Sequence, residues 1–334
     1  VLLDLEKFFS KESFQIPSDF LEDSHIKRVI SMISNDPVLK NKHPGFNLSR
    51  MGFSTNEAAI KGCDVLDLVK KQISLYLTCD DPRWSSNPYR IFQKKEIMKK
   101  TKIAEERYRL IFGGDLVDSI IDRLLYQNMI NNSVENYRNL PNKVGMSFVD
   151  GTVNDLVSSA PNSNDWISLD CKSYDFTHSL DEMSLVLDCN RRLSRTSVPE
   201  HRKKWDVLSH ARMLATAYGN VGFSDGNVFM KIIAGIFPSG SLLTINSNGK
   251  LNVANTLRFW RSRNLSDPSH VVHLKLKDIV TMGDDSVQRL FHIKDPQVFV
   301  EFMKLIGHFY TVESSRGKFA DMNYCSREWY FDED

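Results

Sequence analysis

The sequence predicts an α+β fold, and three observations carry that expectation. Residues 279–287 are apolar and β-branched up to Gly283, present Asp284 and Asp285, then turn apolar again, the pattern of a β-hairpin with a Gly-Asp turn. Residues 165–175 are apolar as far as Asp170 and read as a second strand. Apolar residues at helical spacing recur over residues 115–129 (Val117, Ile120, Ile121, Leu124, Leu125) and over residues 295–310 (Val298, Phe302, Leu305, Ile306).

At 334 residues the chain exceeds the size at which one core usually keeps growing, so two subdomains or one elaborate unit are expected. A hydrophobic fraction of 41% with 25% charged residues is that of an ordinary folded protein and speaks against disorder. The five cysteines form no Cys-x-x-Cys pair, which argues against structural zinc and a disulfide framework and for a reducing compartment. No apolar run approaches the roughly 18 residues of a membrane-spanning helix. The acidic opening stretch lacks the basic start of a signal peptide, and a chain opening on Val1 points to proteolytic processing or trimming. The net charge of +1 hides two strongly basic windows.

In chain order, residues 1–90 alternate helical patterns with loops containing Pro and Asn, and suggest no catalytic arrangement. Residues 94–111 then hold seven Lys or Arg against three Glu, interleaved with Ile97, Ile103, Leu110 and Ile111. That interleaving predicts a segment packed on one side and offering cations on the other, suited to phosphate. Asp170 stands at the carboxyl end of its strand, a position for ligand chemistry that a plain loop acid could equally occupy. Asp175 follows it, and Ser179 with Glu182 makes a capping box opening a helix through Met183, Val186 and Leu187. The second basic window, residues 191–212, reads as a solvated helix face. Pro238, Ser239 and Gly240 form a turn feeding a helix toward Trp260, on which Ser241, Thr244 and Asn248 share a polar stripe. Residues 270–277 alternate as a strand, and residues 321–331 resemble a tight turn between strand-like pieces.

Two adjacent carboxylates on a tight turn repel unless solvent or a divalent cation neutralises them. Gly-Asp-Asp alone is also what an ordinary surface turn carries. If the strands of Asp170 and Asp284 lie side by side, however, the acids would hold two divalent cations about 3.5–4 Å apart, the arrangement used in nucleotidyl transfer. Oxygen donors of this kind suit Mg²⁺, with Mn²⁺ as a substitute.

Together these residues resemble the RNA-dependent RNA polymerases of positive-strand RNA viruses. Asp170 and Asp175 look like motif A; Ser239, Gly240, Thr244 and Asn248 look like motif B; Gly283-Asp284-Asp285 looks like motif C. Lys95, Lys99, Lys102, Arg107 and Arg109 fall in a stretch similar to motif F, and Cys325, Ser326 and Trp329 in one similar to motif E, the primer grip. The Arg-Leu-Ile end of motif F, the Gly-Asp-Asp and the Cys-Ser-x-x-Trp most resemble the sobemovirus, barnavirus and polerovirus lineage.

The resemblance implies a right-hand fold of fingers (1–145, with motif F, and an insertion at 191–235) and palm (146–190 with motif A, 236–334 with motifs B to E), the thumb missing or truncated. It implies Asp170, Asp284 and Asp285 as metal ligands for two Mg²⁺ ions, Asp175 with the motif B residues as the ribose site, and the motif F cations as the triphosphate and RNA site. Lys318 is the candidate motif D general acid, ahead of Arg316 and His308. RNA template and product, ribonucleoside triphosphates and other viral replication proteins are the implied partners, without a direct membrane span. The implied location is the host cytoplasm, in membrane-associated replication complexes. A reverse-transcriptase-like polymerase and a non-catalytic RNA-binding module are the alternatives.

Overall fold

The computed structural model describes residues 1–327 except Lys95, Met98, Lys99, Arg107, Asp150, Ile233 and Ile236, and leaves the side chains of Thr101, Lys102 and Ser315 undescribed. The chain divides into two compact units, one of Val1–Phe14, Asn128–Arg195 and Ile245–Asp334, the other of Gln15–Gln127 and Thr196–Thr244. The division differs from the expected one. The first residues join the unit of the acidic motifs because Leu5 and Phe9 pack with Val253, Ala254 and Leu257, and because Glu12 pairs with Lys250.

The first unit is built on a four-stranded antiparallel sheet of β1 (Trp166–Cys171), β2 (Ile279–Met282), β3 (Asp285–Arg289) and β4 (Tyr310–Gly317), in the order β4-β1-β3-β2. Ile279 belongs to one apolar cluster, with Leu5, Cys189 and Leu257; its neighbour Val280 belongs to another, with Trp166, Phe319 and Tyr324. Successive strand residues point to opposite faces, so this sheet is covered on both. That explains why β2 reads as a continuous apolar run rather than as an alternation.

Helix α1 (Leu180–Leu193) starts at the expected capping box: the Glu182 amide donates to Ser179 Oγ at 3.2 Å, and the Ser179 amide to Glu182 Oε2 at 3.1 Å. Helix α2 (Thr244–Ser266) buries Leu251, Val253, Ala254 and Leu257. Helix α3 (Gln297–Leu305) is shorter than the apolar pattern suggested and buries Phe299 and Met303, while Leu305 is exposed. Gly307, at φ 93°, takes the left-handed conformation that lets the chain reverse into β4. The strand expected at 270–277 is absent. The backbone of Val272 is held by the side chain of Asn264 (2.8 and 2.9 Å), and short 3₁₀ turns at Pro268–His270 and Leu276–Asp278 flank it. A side-chain amide has taken the place of a neighbouring strand.

The second unit has its own four-stranded sheet, ordered Leu110–Gly113, Tyr89–Gln93, Asn220–Gly222, Val228–Met230. The motif F stretch forms a hairpin between the first two of these, with a short helix Lys100–Ala104. Ile97, Ile103 and Leu110 are exposed and Ile111 is half-buried, so most of the expected packed side is missing. The second basic window is split: Arg191 and Arg192 end helix α1, and the rest from Pro199 lies on a separate helix, Pro199–Ala217, with Lys203 and Lys204 exposed as expected of a solvated face. Arg212 is its exception, buried against Asp118 at 3.0 Å and Asp122 at 2.8 Å. Among the described residues no helix is long and apolar enough to cross a membrane.

Candidate active site

Strands β2 and β3 close through Gly283 and Asp284, with Met282 paired to Asp285. Gly283 has φ 67° and Asp284 does not share the left-handed region, so glycine at the first central position supplies the conformation a tight hairpin needs. Leu169 pairs with Ser286, which sets Asp170, the next residue on β1, at the same end of the sheet as Asp285 and the hairpin turn. On the other side of β1, Thr311 pairs with Asp170 and brings Glu313 on β4 close to it.

Their electrostatics follow from this crowding. Burial and the charge of Asp284 push the Asp170 carboxyl above its ordinary range. Asp285 is pushed up to about 7, first by burial and then by Asp284, Asp170 and Glu313. Glu313 is raised by burial and by Asp170. Like charges held together in a half-buried place raise each other's pKa. An all-oxygen donor set carrying surplus negative charge fits a hard divalent cation. Glu313 escaped notice in the sequence because the pairing of β4 with β1 joins residues about 140 apart.

A metal-free folded state in which Asp285 titrates near 7 holds a proton that the unfolded chain releases at the ordinary carboxylate value. Its contribution to stability is complete below that ordinary value and is lost as pH rises through about 7. In EDTA the melting temperature therefore falls between pH 5 and pH 8 through this group, and added Mg²⁺ raises it more at pH 8 than at pH 5. Asp285→Asn removes this component of the pH dependence. Differential scanning fluorimetry in the two buffers checks both; an equal Mg²⁺ effect at both pH values would contradict the assignment.

Helix α2 supplies two asparagines to this end of the unit. Asn248 Nδ2 donates to Asp175 Oδ1 at 2.7 Å, joining the expected ribose pair directly. One turn later, Asn252 Nδ2 donates to the backbone oxygens of Gly283 (2.7 Å) and Asp284 (3.2 Å), while its Oδ1 accepts from the Tyr310 hydroxyl. Asn252 thus pins the carboxylate turn. The sequence signal for it was the four-residue spacing from Asn248. The polar stripe is accordingly Thr244, Asn248 and Asn252; Ser241 precedes the helix.

A family profile described as viral RNA-dependent RNA polymerase matches residues 8–330. The chain belongs to this family. Protein P1-P2 of Potato leafroll virus is 26% identical over 255 residues, covering 72% of this chain and 21% of that protein. Replicase polyprotein P2AB of Southern cowpea mosaic virus is 23% identical over 289 residues, covering 80% of this chain and 27% of that protein. The chain therefore spans about a fifth to a quarter of the length of these relatives. The expected likeness to polerovirus and sobemovirus proteins is borne out. Among solved structures, the Sicinivirus 3Dpol RNA-dependent RNA polymerase superposes with a TM-score of 0.74 at 16% identity, covering 99% of this chain and 68% of that one. The fold is the right-hand fold of viral RNA-dependent RNA polymerases.

Within this polymerase fold the other expected site residues are distributed unequally. Cys325 and Ser326 form the expected tight turn, both with positive φ (54° and 57°), closed by a bridge between Tyr324 and Arg327. Cys325 Sγ lies 3.6 Å from Met282 Sδ, and burial followed by the charge of Asp285 pushes its thiol up to about 12. Ser239 and Gly240 lie against the end of the Leu110–Gly113 strand: the Phe112 amide donates to Ser239 Oγ at 3.4 Å, and a Cβ on Gly240 would stand 2.3 Å from Phe112 O. Thr244 Oγ1 donates to Pro238 O at 2.5 Å, closing that turn. Arg109 and Lys94 both pair with Glu96, at 3.5 and 2.9 Å. Lys95, Lys99, Arg107 and Trp329 lie outside the described residues, as does the side chain of Lys102.

Lys318 is not brought to the acids. β4 starts beside Asp170 and runs away from it, with Gly317 opposite Trp166, so Lys318 follows the far end of the strand. Arg316 is engaged by the backbone oxygens of Phe291 and Ile293, and His308 is buried against Glu182. The direction of β4 carries Lys318 away from Asp170.

Proposed function

We propose that this chain carries out template-directed RNA synthesis, adding ribonucleoside monophosphates to a growing RNA strand with release of pyrophosphate. The observation that carries the reading is the convergence of Asp170, Asp284 and Asp285 at one end of two paired strands, each acid raised or crowded by the others. Two Mg²⁺ ions held there, or Mn²⁺ in their place, would supply an activated 3′-hydroxyl and charge neutralisation at the leaving pyrophosphate. Asp170 and Asp284 hold the metals as principal ligands, with Asp285 auxiliary. Asp175 and Asn248 hydrogen-bond the ribose 2′-hydroxyl, and a site built to bond a hydroxyl rejects the substrate that lacks it. Ser239, Gly240 and Thr244 shape the turn before that helix, and Cys325, Ser326 and Trp329 grip the primer strand. Lys95, Lys99, Lys102, Arg107 and Arg109 bind triphosphate and RNA.

The ribose pair favours this reading over a reverse-transcriptase-like polymerase, and a non-catalytic RNA-binding module gives no reason for the acids. RNA and ribonucleoside triphosphates are the immediate partners. Work alongside other viral replication proteins, in membrane-associated complexes of the host cytoplasm, accords with the viral replicase relatives.

The test is incorporation of labelled nucleotides on a defined RNA template with Mg²⁺. Wild-type chain incorporates ribonucleotides, and Asn248→Ala lowers its preference for ribo- over deoxyribonucleotides by about tenfold to a hundredfold. Templated incorporation by wild type with an unchanged preference in Asn248→Ala would overturn the ribose assignment alone.

A further inference from the structure

We propose that His178 is a positioning residue for nucleotide selection: it fixes the orientation of the Asn248 side-chain amide. The proposal rests on the reading of Asn248 as the ribose sensor and extends it to a residue that does not touch substrate.

The amide of Asn248 is buried and could be turned either way about its last torsion. Asp175 decides one end. A carboxylate only accepts, so the group 2.7 Å from Asp175 Oδ1 is the amide NH₂. The amide oxygen then faces His178 Nε2 at 3.1 Å, and that nitrogen must carry the hydrogen. Reversing the amide would set its oxygen against the carboxylate and its hydrogens against the ring N–H. Asp175 and His178, three residues apart on one segment, thus grip the amide from both ends.

His178 is itself held. Its ring packs edge-on to Tyr174 at 4.5 Å and lies 5.8 Å from the ring of His308. Its Nδ1 faces Glu182 Oε2 at 4.0 Å. Glu182 is anchored by the capping box, by Arg258 at 2.9 Å and by His308 Nε2 at 2.8 Å, while His308 Nδ1 meets Thr177 Oγ1 at 2.9 Å. His178, Glu182 and His308 bring possible metal-ligating atoms within 4.8 Å of one another. Arg258 already neutralises Glu182, however, and a metal ion there would face its guanidinium. The cluster is therefore a packed brace behind Asn248, in which ring contacts hold His178 while His308 and Arg258 bond Glu182.

The experiment compares ribo- and deoxyribonucleotide incorporation on one RNA template. His178→Phe keeps the ring packing and removes the donor; it lowers the ratio of kcat/KM for ribo- over deoxyribonucleotides about tenfold, chiefly through a higher KM for the ribonucleotide. His178→Gln, which can present an N–H at a similar reach, retains the ratio to within about threefold. In an Asn248→Ala background, His178→Phe lowers the ratio no further. A purely structural role would depress both substrates alike, and an intact ratio in His178→Phe overturns the proposal. Should His178→Phe not fold, a ratio in His178→Gln as low as in Asn248→Ala overturns it and a retained ratio supports it. If Asn248→Ala itself leaves the ratio unchanged, it is the ribose assignment beneath the proposal that has failed.

Discussion

Asp284→Asn lowers templated nucleotide incorporation by about a thousandfold, measured in single turnover with Mg²⁺, while the chain stays folded. The loss is large because the amide keeps the shape of the turn but removes a full charge from the place where a cation must be held against triphosphate. Folding is spared because Asn252 grips the turn through the backbone oxygens of Gly283 and Asp284, not through the carboxylate. Asp170→Asn costs about as much, since Asp170 and Asp284 crowd each other at the sheet edge. Asp285→Asn costs less. It is the auxiliary ligand, so the two principal carboxylates remain to hold the cations when it is lost. Near wild-type incorporation by Asp284→Asn would remove it from the metal-binding role.

What could be read in the sequence was what short-range chemistry determines. The Gly-Asp turn and the Ser179 capping box depend on neighbours in sequence and fold as expected; the strand carrying Asp170 forms too, but as Trp166–Cys171, with a 3₁₀ turn at Tyr174–Phe176 in place of the strand's expected continuation. The order of the motifs then supplied a meaning that no tripeptide has. What stayed hidden depends on distant partners. Glu313 acquires its place only when β4 lies beside β1, and His178 only when helix α2 presents Asn248 to it. The basic stretch departs for another reason: its apolar periodicity predicts a packed face, but the segment between the paired strands and the start of the second strand leave Ile97, Ile103 and Leu110 exposed. Lys318 follows the end of β4 remote from Asp170, which only the strand's direction reveals.

The largest stability effect is expected at Lys250, between Asn248 and Asn252 in the sequence. This lysine lies on helix α2, wholly buried, with Nζ 2.6 Å from Glu12, 2.7 Å from Asn190 Oδ1 and 2.8 Å from Asn246 Oδ1. Glu12 Oε1 accepts in turn from Ser133 Oγ at 2.8 Å and Asn246 Nδ2 at 2.9 Å. Neither charge reaches water, so each depends on the other. Lys250→Met leaves Glu12 buried and unpaired, and costs about 3–5 kcal/mol, visible as a lower urea midpoint. Adding Glu12→Gln removes the orphaned charge and returns a large part of that loss, because the surviving amide can still bond Ser133 and Asn246. Two independent, additive losses would contradict the coupling. The same pair explains why residues 1–14 belong to this unit. Their removal should therefore act on helix α2, which carries both Asn248 and Asn252, and should lower incorporation even though no residue of the segment is an acid of the site.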